Sequence, residues 1–348
     1  MVCTISLDWS YKGMKTLIME NEKIRVVSLI DKGSDIIEFI HKPSNIDVMW
    51  HSPMGYRNPK FFIASCPASR GSFIDFYGGG WQDILPSAGG PSIHRGAEWG
   101  IHGETALIPW DCVITKDSRS EVEAYLSVEG YRYPLRVEKR ISMKSGDAKI
   151  RIDEKITNMS SQDLEFSWLH HPAFGEPFLA PGCRVYVPAR EVVVRGVEEA
   201  PYGRLREGRY SWPKVLDRSG VEVDLSVIPD RELVAEETCF LTQLEEGWYA
   251  LINPELKLGF GLTWDKEVFD WLWFWQNYNK PDYPWYGMAW NVALEPCTSY
   301  PGGLNEQLKE GTAELIRGGE SIETSLTAVL FEGVTEVSRI TPEGTIIK

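Results

Sequence analysis

Leu135-Arg-Val-Glu-Lys-Arg-Ile-Ser-Met143, then Ser145-Gly-Asp147, then Ile150-Arg-Ile-Asp-Glu-Lys-Ile156 is the stretch that decides the fold. In the first run Leu135, Val137, Ile141 and Met143 alternate with Arg136, Glu138, Arg140 and Ser142. In the second, Ile150, Ile152 and Ile156 alternate with Arg151, Asp153 and Lys155. Successive side chains of a strand point to opposite faces, so a period of two predicts strands with one apolar and one solvated face. The Gly-containing turn joins them as an antiparallel hairpin. The same alternation recurs at Ile24–Ile30, Ala124–Val128, Val185–Val187, Val221–Val227 and Ile322–Leu330. Long helical stripes are missing, and the best helical candidate is the short Asp230–Glu237 segment. The chain reads as all-β. No stretch looks like a linker or a repeat of fixed period, so residues 1–348 are expected to form one domain.

The composition narrows the function. With 36 basic and 50 acidic residues the formal charge is −14, and a nucleic-acid or anionic-membrane partner would need a basic face instead. The 14 Trp, 14 Tyr and 13 Phe suit either a packed core or a cleft that offers flat faces to a sugar. The six cysteines include no C-x-x-C pair, which removes support for zinc-ribbon, iron–sulfur or thioredoxin-type chemistry. The start carries no signal-peptide pattern, and no apolar run approaches a membrane span. A reduced, cytoplasmic protein is expected.

Gly and Pro concentrate in Tyr77–Gly103, Pro172–Gly182 and Pro281–Gly303. Long connections in a β domain are where binding and catalysis usually sit. In the first loop, the glycines after Tyr77 lack the Gly-Lys-Ser/Thr of a phosphate loop, and read as a strained turn or a place of close backbone approach by a ligand. His102-Gly103-Glu104 has the H-x-E form of a zinc deaminase without the required P-C-x-x-C. In the second, Phe166–Leu169 reads as a strand with His170 and His171 at its end. Period two points these to opposite faces, so one enters a cleft, and Pro172 turns the chain out of the strand. In the third, Trp271, Trp273 and Trp275 share one face while Leu272, Phe274 and Gln276 share the other, which favours core for most of these rings. Glu295 ends the apolar run Val292-Ala293-Leu294, where a carboxylate is desolvated unless paired and so raised toward base-competent values; the alternative is a strand-end glutamate in solvent.

Together these segments resemble the aldose 1-epimerase (galactose mutarotase-like) superfamily. Asn158 with Ser160, then Phe166, then His171-Pro172-Ala173-Phe174 is similar to the family's asparagine–serine turn, strand and His-Pro-x-Phe signature. Gly79-Gly80, Pro86, Gly89 and His102-Gly103 resemble its glycine pair, proline and downstream His-Gly, and Val292–Pro296 resembles the late strand that brings its basic glutamate. Many relatives carry an arginine near the His-Gly motif, where Glu104-Thr105-Ala106 stands here. Tyr77 stands where a substrate-binding arginine is expected, with Arg70 a distant substitute.

The resemblance implies a supersandwich of large antiparallel sheets and anomerisation of a sugar without a cofactor or metal. It makes Glu295 the base and His171 the acid, with His102 assisting at the ring oxygen and His170 in reserve. Gln82, Asp83, Gln276, Asp265 and Arg70 are candidate hydroxyl partners, and Trp81 and Trp285 candidate stacking platforms. Two other classes stay open: a sugar-binding protein without catalysis, and a metal-dependent isomerase using His102, Glu104, His171 and Glu295, or a lyase on the same superfold. The sequence leaves the sugar and the oligomeric state open.

Overall fold

The computed structural model describes residues 2–61, 72–196 and 202–348. The deciding hairpin forms as read. Leu135–Lys144 pairs antiparallel with Lys149–Asn158, setting Val137 opposite Ile156 and Ile141 opposite Ile152. It lies in an eight-stranded sheet ordered Asp111–Asp117, Glu121–Glu129, the two hairpin strands, Ser321–Glu332, Leu258–Trp264, Trp248–Asn253 and Arg184–Tyr186.

A thirteen-stranded sheet holds most of the remaining strands. Its central order is Asp35–His41, Trp81–Ile84, Leu169–Phe174, Trp290–Cys297, Trp271–Tyr278 and Ala235–Thr242. Val137, Ile141 and Ile152 of the smaller sheet share one apolar cluster with Phe39, Leu272, Phe274 and Leu294 of the larger, so the sheets pack face to face. A second cluster, with Phe73, Tyr77, Trp273, Trp285 and Ala293, covers the other face of the larger sheet. That face carries the site. The all-β expectation holds, and among the described residues the α-helices are Ser72–Phe76 and Leu304–Glu310. No helix is long and apolar enough to cross a membrane.

Three local expectations need correction. Residues 230–234 hold a turn at Arg231-Glu232 and no helix, and Ala235 opens a strand that pairs with Trp271–Tyr278 along its length. A short helical pattern yields to sheet pairing because an isolated turn of helix has little stability of its own. Val221–Val227 is a strand only at Glu222–Asp224, because the Asp224 carboxylate accepts the Ser226 N–H and hydroxyl and turns the chain. The Phe166–Leu169 strand is broken: Leu164–Phe166 pairs with Glu314–Ile316, and a new strand runs from Leu169 to Phe174.

Pro172 therefore lies inside a central strand, opposite Trp81. The missing N–H shows on the other edge, where pairing with Trp290–Cys297 is made at Leu169, Ala173 and Phe174 and skips His170 to Pro172.

Candidate active site

The skipped register is where the functional groups meet. His171 stands opposite Gln82, and Glu295 stands opposite Trp273, so the four share one row across the larger sheet. His171 Nε2 lies 3.4 Å from Glu295 Oε1, and both side chains are nearly fully buried. On the other ring edge the Tyr77 hydroxyl lies 3.3 Å from His171 Nδ1. His171 is thus held between a phenol and a carboxyl. Burial lowers His171 to about 4, and burial drives Glu295 well above the ordinary carboxyl range. Both directions have one cause: neither partner has enough solvent or hydrogen bonding to carry its charge alone. Tyr77 is raised well above its ordinary value, first by burial and then by Glu295, so its hydroxyl stays protonated.

His102 approaches from the loop above. Its ring centroid is 5.3 Å from that of His171 and 4.6 Å from that of Phe73. Its Nδ1 accepts the Gly89 N–H at 3.1 Å, and burial followed by the neighbouring His171 holds it well below the usual imidazole range. A neutral imidazole that accepts at Nδ1 carries its proton on Nε2, so His102 is a neutral donor. Its φ of 62° is a left-handed conformation unusual for a side-chain-bearing residue.

The glycines before this loop serve the chain itself. A Cβ on Gly79 would lie 2.0 Å from the Trp50 carbonyl oxygen, and one on Gly80 2.4 Å from that of Ile36. The close backbone approach read from the sequence is made by the neighbouring strand.

These groups form the floor of a cavity of about 770 Å³. Trp273, Trp275, Trp285, Tyr77 and Phe73 form its aromatic walls, and Asp75, Glu236, Thr238 and Lys280 bring polar groups to it. Trp285 stands 5.7 Å from Trp275 and donates its Nε1–H to Ser52 Oγ at 3.1 Å. Trp50 packs edge to face against Trp285, with ring centroids 5.2 Å apart.

Of the sequence candidates, the fold brings His171, Glu295, His102 and Trp285 together around this cavity. His170 points between the sheets, where Nδ1 accepts the Trp81 Nε1–H at 3.2 Å and Nε2 lies 2.9 Å from Glu154 Oε2. Asp83 lies there too, 3.1 Å from Lys139 Nζ and accepting the Trp168 Nε1–H at 2.8 Å. Trp81 is accordingly buried behind the sheet and offers no face to the cavity. Gln82 is fully buried and donates to Asp35 Oδ2 and the Gly79 carbonyl. Gln276 faces the core side of its strand and accepts from Arg204 Nη2 at 3.2 Å. Asp265 is exposed in a turn, where Oδ1 accepts the Glu267 N–H. Arg70 lies outside the described residues.

Glu104 is turned away from the cavity to accept the N–H groups of Tyr131 and Arg132, so the set His102, Glu104, His171 and Glu295 is not assembled. Among the described residues one group of three has metal-ligand spacing, Asp83, Glu154 and His170. Lys139, Trp168 and Trp81 already donate to that group, and a proton on His170 Nε2 occupies the lone pair a metal would need.

The larger departure concerns tryptophan. Trp273 and Trp275 face the cavity, against the expectation of core, while Leu272 and Phe274 on the opposite face of the strand are core. Phe73, Thr238, Glu236 and Lys280 are not singled out by the sequence as site residues, and Tyr77 is marked there only as standing where a substrate-binding arginine is expected. A usable clue existed for the groups behind the sheet: Lys139 and Glu154 occupy inward positions in the alternating hairpin, breaking its apolar faces.

The family described as Domain of unknown function (DUF4432) matches residues 11–330. No curated protein matches the chain by sequence. Among solved structures the chain is similar to a putative aldose 1-epimerase from Klebsiella pneumoniae subsp. pneumoniae MGH 78578, with a TM-score of 0.74 and 15% identity over 94% of this chain and 83% of that one. It is also similar to a galactose mutarotase-like protein from Lactobacillus casei ATCC 334, with a TM-score of 0.62 and 16% identity over 91% of this chain and all of the other. A galactose mutarotase related enzyme from Lactobacillus acidophilus gives 0.59 at 14% identity, over 93% and 100%. The expected mutarotase-like supersandwich is the fold of this chain.

Proposed function

The chain belongs to the DUF4432 family, and within its mutarotase-like fold we propose that the cavity interconverts the α and β anomers of a sugar. One observation carries this reading: His171 and Glu295 face each other at 3.4 Å on the cavity floor, buried and shifted in opposite directions. Opening a hemiacetal needs a base at the O1 hydroxyl and an acid at the ring oxygen, both within one small site.

The pair holds one proton. Before a sugar binds it rests on the Glu295 carboxyl, the direction in which burial pushes both groups. A sugar hydroxyl donating to the carboxylate favours its ionised form, leaving imidazolium on His171. Glu295 then removes the O1 proton while His171 protonates the ring oxygen. The C1–ring oxygen bond breaks with its electrons going to that oxygen, and a C1–O1 double bond forms. Rotation about C1–C2 and the reverse transfers close the other anomer. His102 supplies a neutral N–H that can hydrogen-bond the ring oxygen as charge develops. Each acid–base group is worth about 10²–10⁴-fold.

The test is anomer exchange measured by NMR over a panel of aldoses. Wild type is expected to accelerate at least one, and Glu295→Gln to lose about 10³-fold with sugar binding kept. Binding without acceleration by wild type would make this a sugar-binding protein instead. Full turnover by Glu295→Gln would remove the carboxyl from the chemistry.

A further inference from the structure

The cavity has a second polar end that the anomer chemistry leaves unused. Trp275, on the strand beside Glu295, stands opposite Thr238 on the next strand, and Asn277 stands opposite Glu236. Thr238 is thus two strands across from Glu295 and two residues further along. With strands about 4.8 Å apart and about 3.3 Å per residue, the backbones of Glu295 and Thr238 are separated by about 12 Å, and those of Glu295 and Glu236 by about 16 Å. A pyranose built from bonds of about 1.5 Å is roughly 5 Å across, so a ring placed over His171 and Glu295 stops short of both.

The far end has sugar-binding chemistry of its own. Glu236 and Lys280 form an ion pair at its edge, with side chains 28% and 21% exposed, so each keeps hydrogen-bonding capacity for a ligand. A carboxylate accepts from hydroxyls and an ammonium donates to them, while the opposite charges of the pair cancel in sum and supply no net charge to hold an ion. Thr238 adds a hydroxyl on the same wall. Between the two polar ends stand the rings of Trp275 and Trp285, surfaces against which the C–H faces of sugars pack. Tyr283 extends this wall to the cavity mouth, with 53% of its surface exposed and its hydroxyl 3.4 Å from Asp75 Oδ1.

We propose that the cavity takes an uncharged disaccharide, with the reducing ring over His171 and Glu295 and the second ring between Trp275 and the Glu236–Lys280 pair. This rests on the anomer-exchange reading for the identity of the reacting ring.

The experiment compares maltose, cellobiose and lactose with glucose and galactose, by NMR exchange for turnover and by tryptophan fluorescence for binding. At least one disaccharide is expected to show kcat/KM tenfold or more above both monosaccharides. Glu236→Gln and Lys280→Met are each expected to lower the ratio of disaccharide to monosaccharide kcat/KM about tenfold, with Thr238→Val as the variant to use if either fails to fold. Monosaccharides turned over as well as every disaccharide, or a ratio unmoved by the variants, would overturn the second-ring site and leave anomer exchange standing. Disaccharides that bind tighter than monosaccharides to both wild type and Glu295→Gln, with no exchange of any sugar, would keep the site and overturn the chemistry. No binding of any of the five sugars would overturn both.

Discussion

Tyr77 decides which protons His171 can hold. Its hydroxyl, 3.3 Å from Nδ1, can donate to a neutral imidazole or accept from an imidazolium, so it serves both states the pair passes through. Phenylalanine at 77 keeps the ring packed on Phe73, whose centroid is 5.0 Å away, and removes that adaptability. The pH profile carries the consequence. His171 lies at about 4, below its ordinary 6.5, so the pair gains a second proton only as pH falls through about 4. Activity is therefore expected across neutral pH with its acid limb near 4, lost below it. Without the Tyr77 acceptor the imidazolium is less stable, so Tyr77→Phe should move that limb to lower pH and reduce kcat about tenfold, the worth of about one hydrogen bond. An unmoved limb would leave Tyr77 as packing alone, and pH–rate profiles of both proteins decide it.

At the scale of elements, the Trp271–Tyr278 strand has two faces with different duties. Phe274 is fully buried between the sheets, and Trp275 is half-buried on the cavity wall. Phe274→Ala is expected to cost about 3–5 kcal/mol by urea unfolding. Trp275→Ala should cost less than that and raise KM for the sugar tenfold or more. If the two variants lost stability equally and bound sugar equally, the two-face assignment would fail. The sequence shows how far such a division can be read. Period two correctly placed Trp273 and Trp275 on one face, with Leu272 and Phe274 on the other, and it separated His170 from His171. It could not say what covers a face, because a protein layer and a ligand-sized void select the same aromatic side chains. Hence Trp273 and Trp275 read as core, while Trp285, in a loop, reads as a platform for the sugar. The register that brings Gln82, His171, Glu295 and Trp273 into one row depends on strands far apart in the chain, and no local pattern carries it. The hairpin, by contrast, is local in both strands and turn, and its residues were legible one by one. The resemblance supplied the order of His102, His171 and Glu295, while the cavity's far end, on residues without a motif, was out of reach.

At the scale of the whole molecule, the two sheets meet through charge as well as oil. Lys139 and Glu154 of the hairpin reach across to Asp83 and His170, on the strands whose other faces carry Gln82 and His171. This polar group therefore ties the smaller sheet to the back of the catalytic floor. Lys139 first offsets the burial of Asp83, and His170 and the Trp168 N–H add to it, so the Asp83 carboxyl is held below its ordinary 3.8. A depressed carboxyl contributes stability that is present above its unfolded value and lost as pH falls toward the folded one. Wild type should accordingly lose stability as pH is lowered below about 4, through this pair among other groups. Lys139→Met removes the cation of the ion pair and leaves a buried carboxylate held only by the Trp168 N–H and His170, which is expected to cost about 3–5 kcal/mol at neutral pH. Adding Asp83→Leu removes that charge too, so the double variant should recover part of the loss, with a coupling of about 1–3 kcal/mol in urea unfolding at neutral pH. Lys139→Met alone should also lose less stability on acidification than wild type, because Asp83 without its ammonium partner is relieved by taking up a proton. Additive single losses would mean that the ion pair does not join the sheets, and that apolar contact alone sets their registry behind His171.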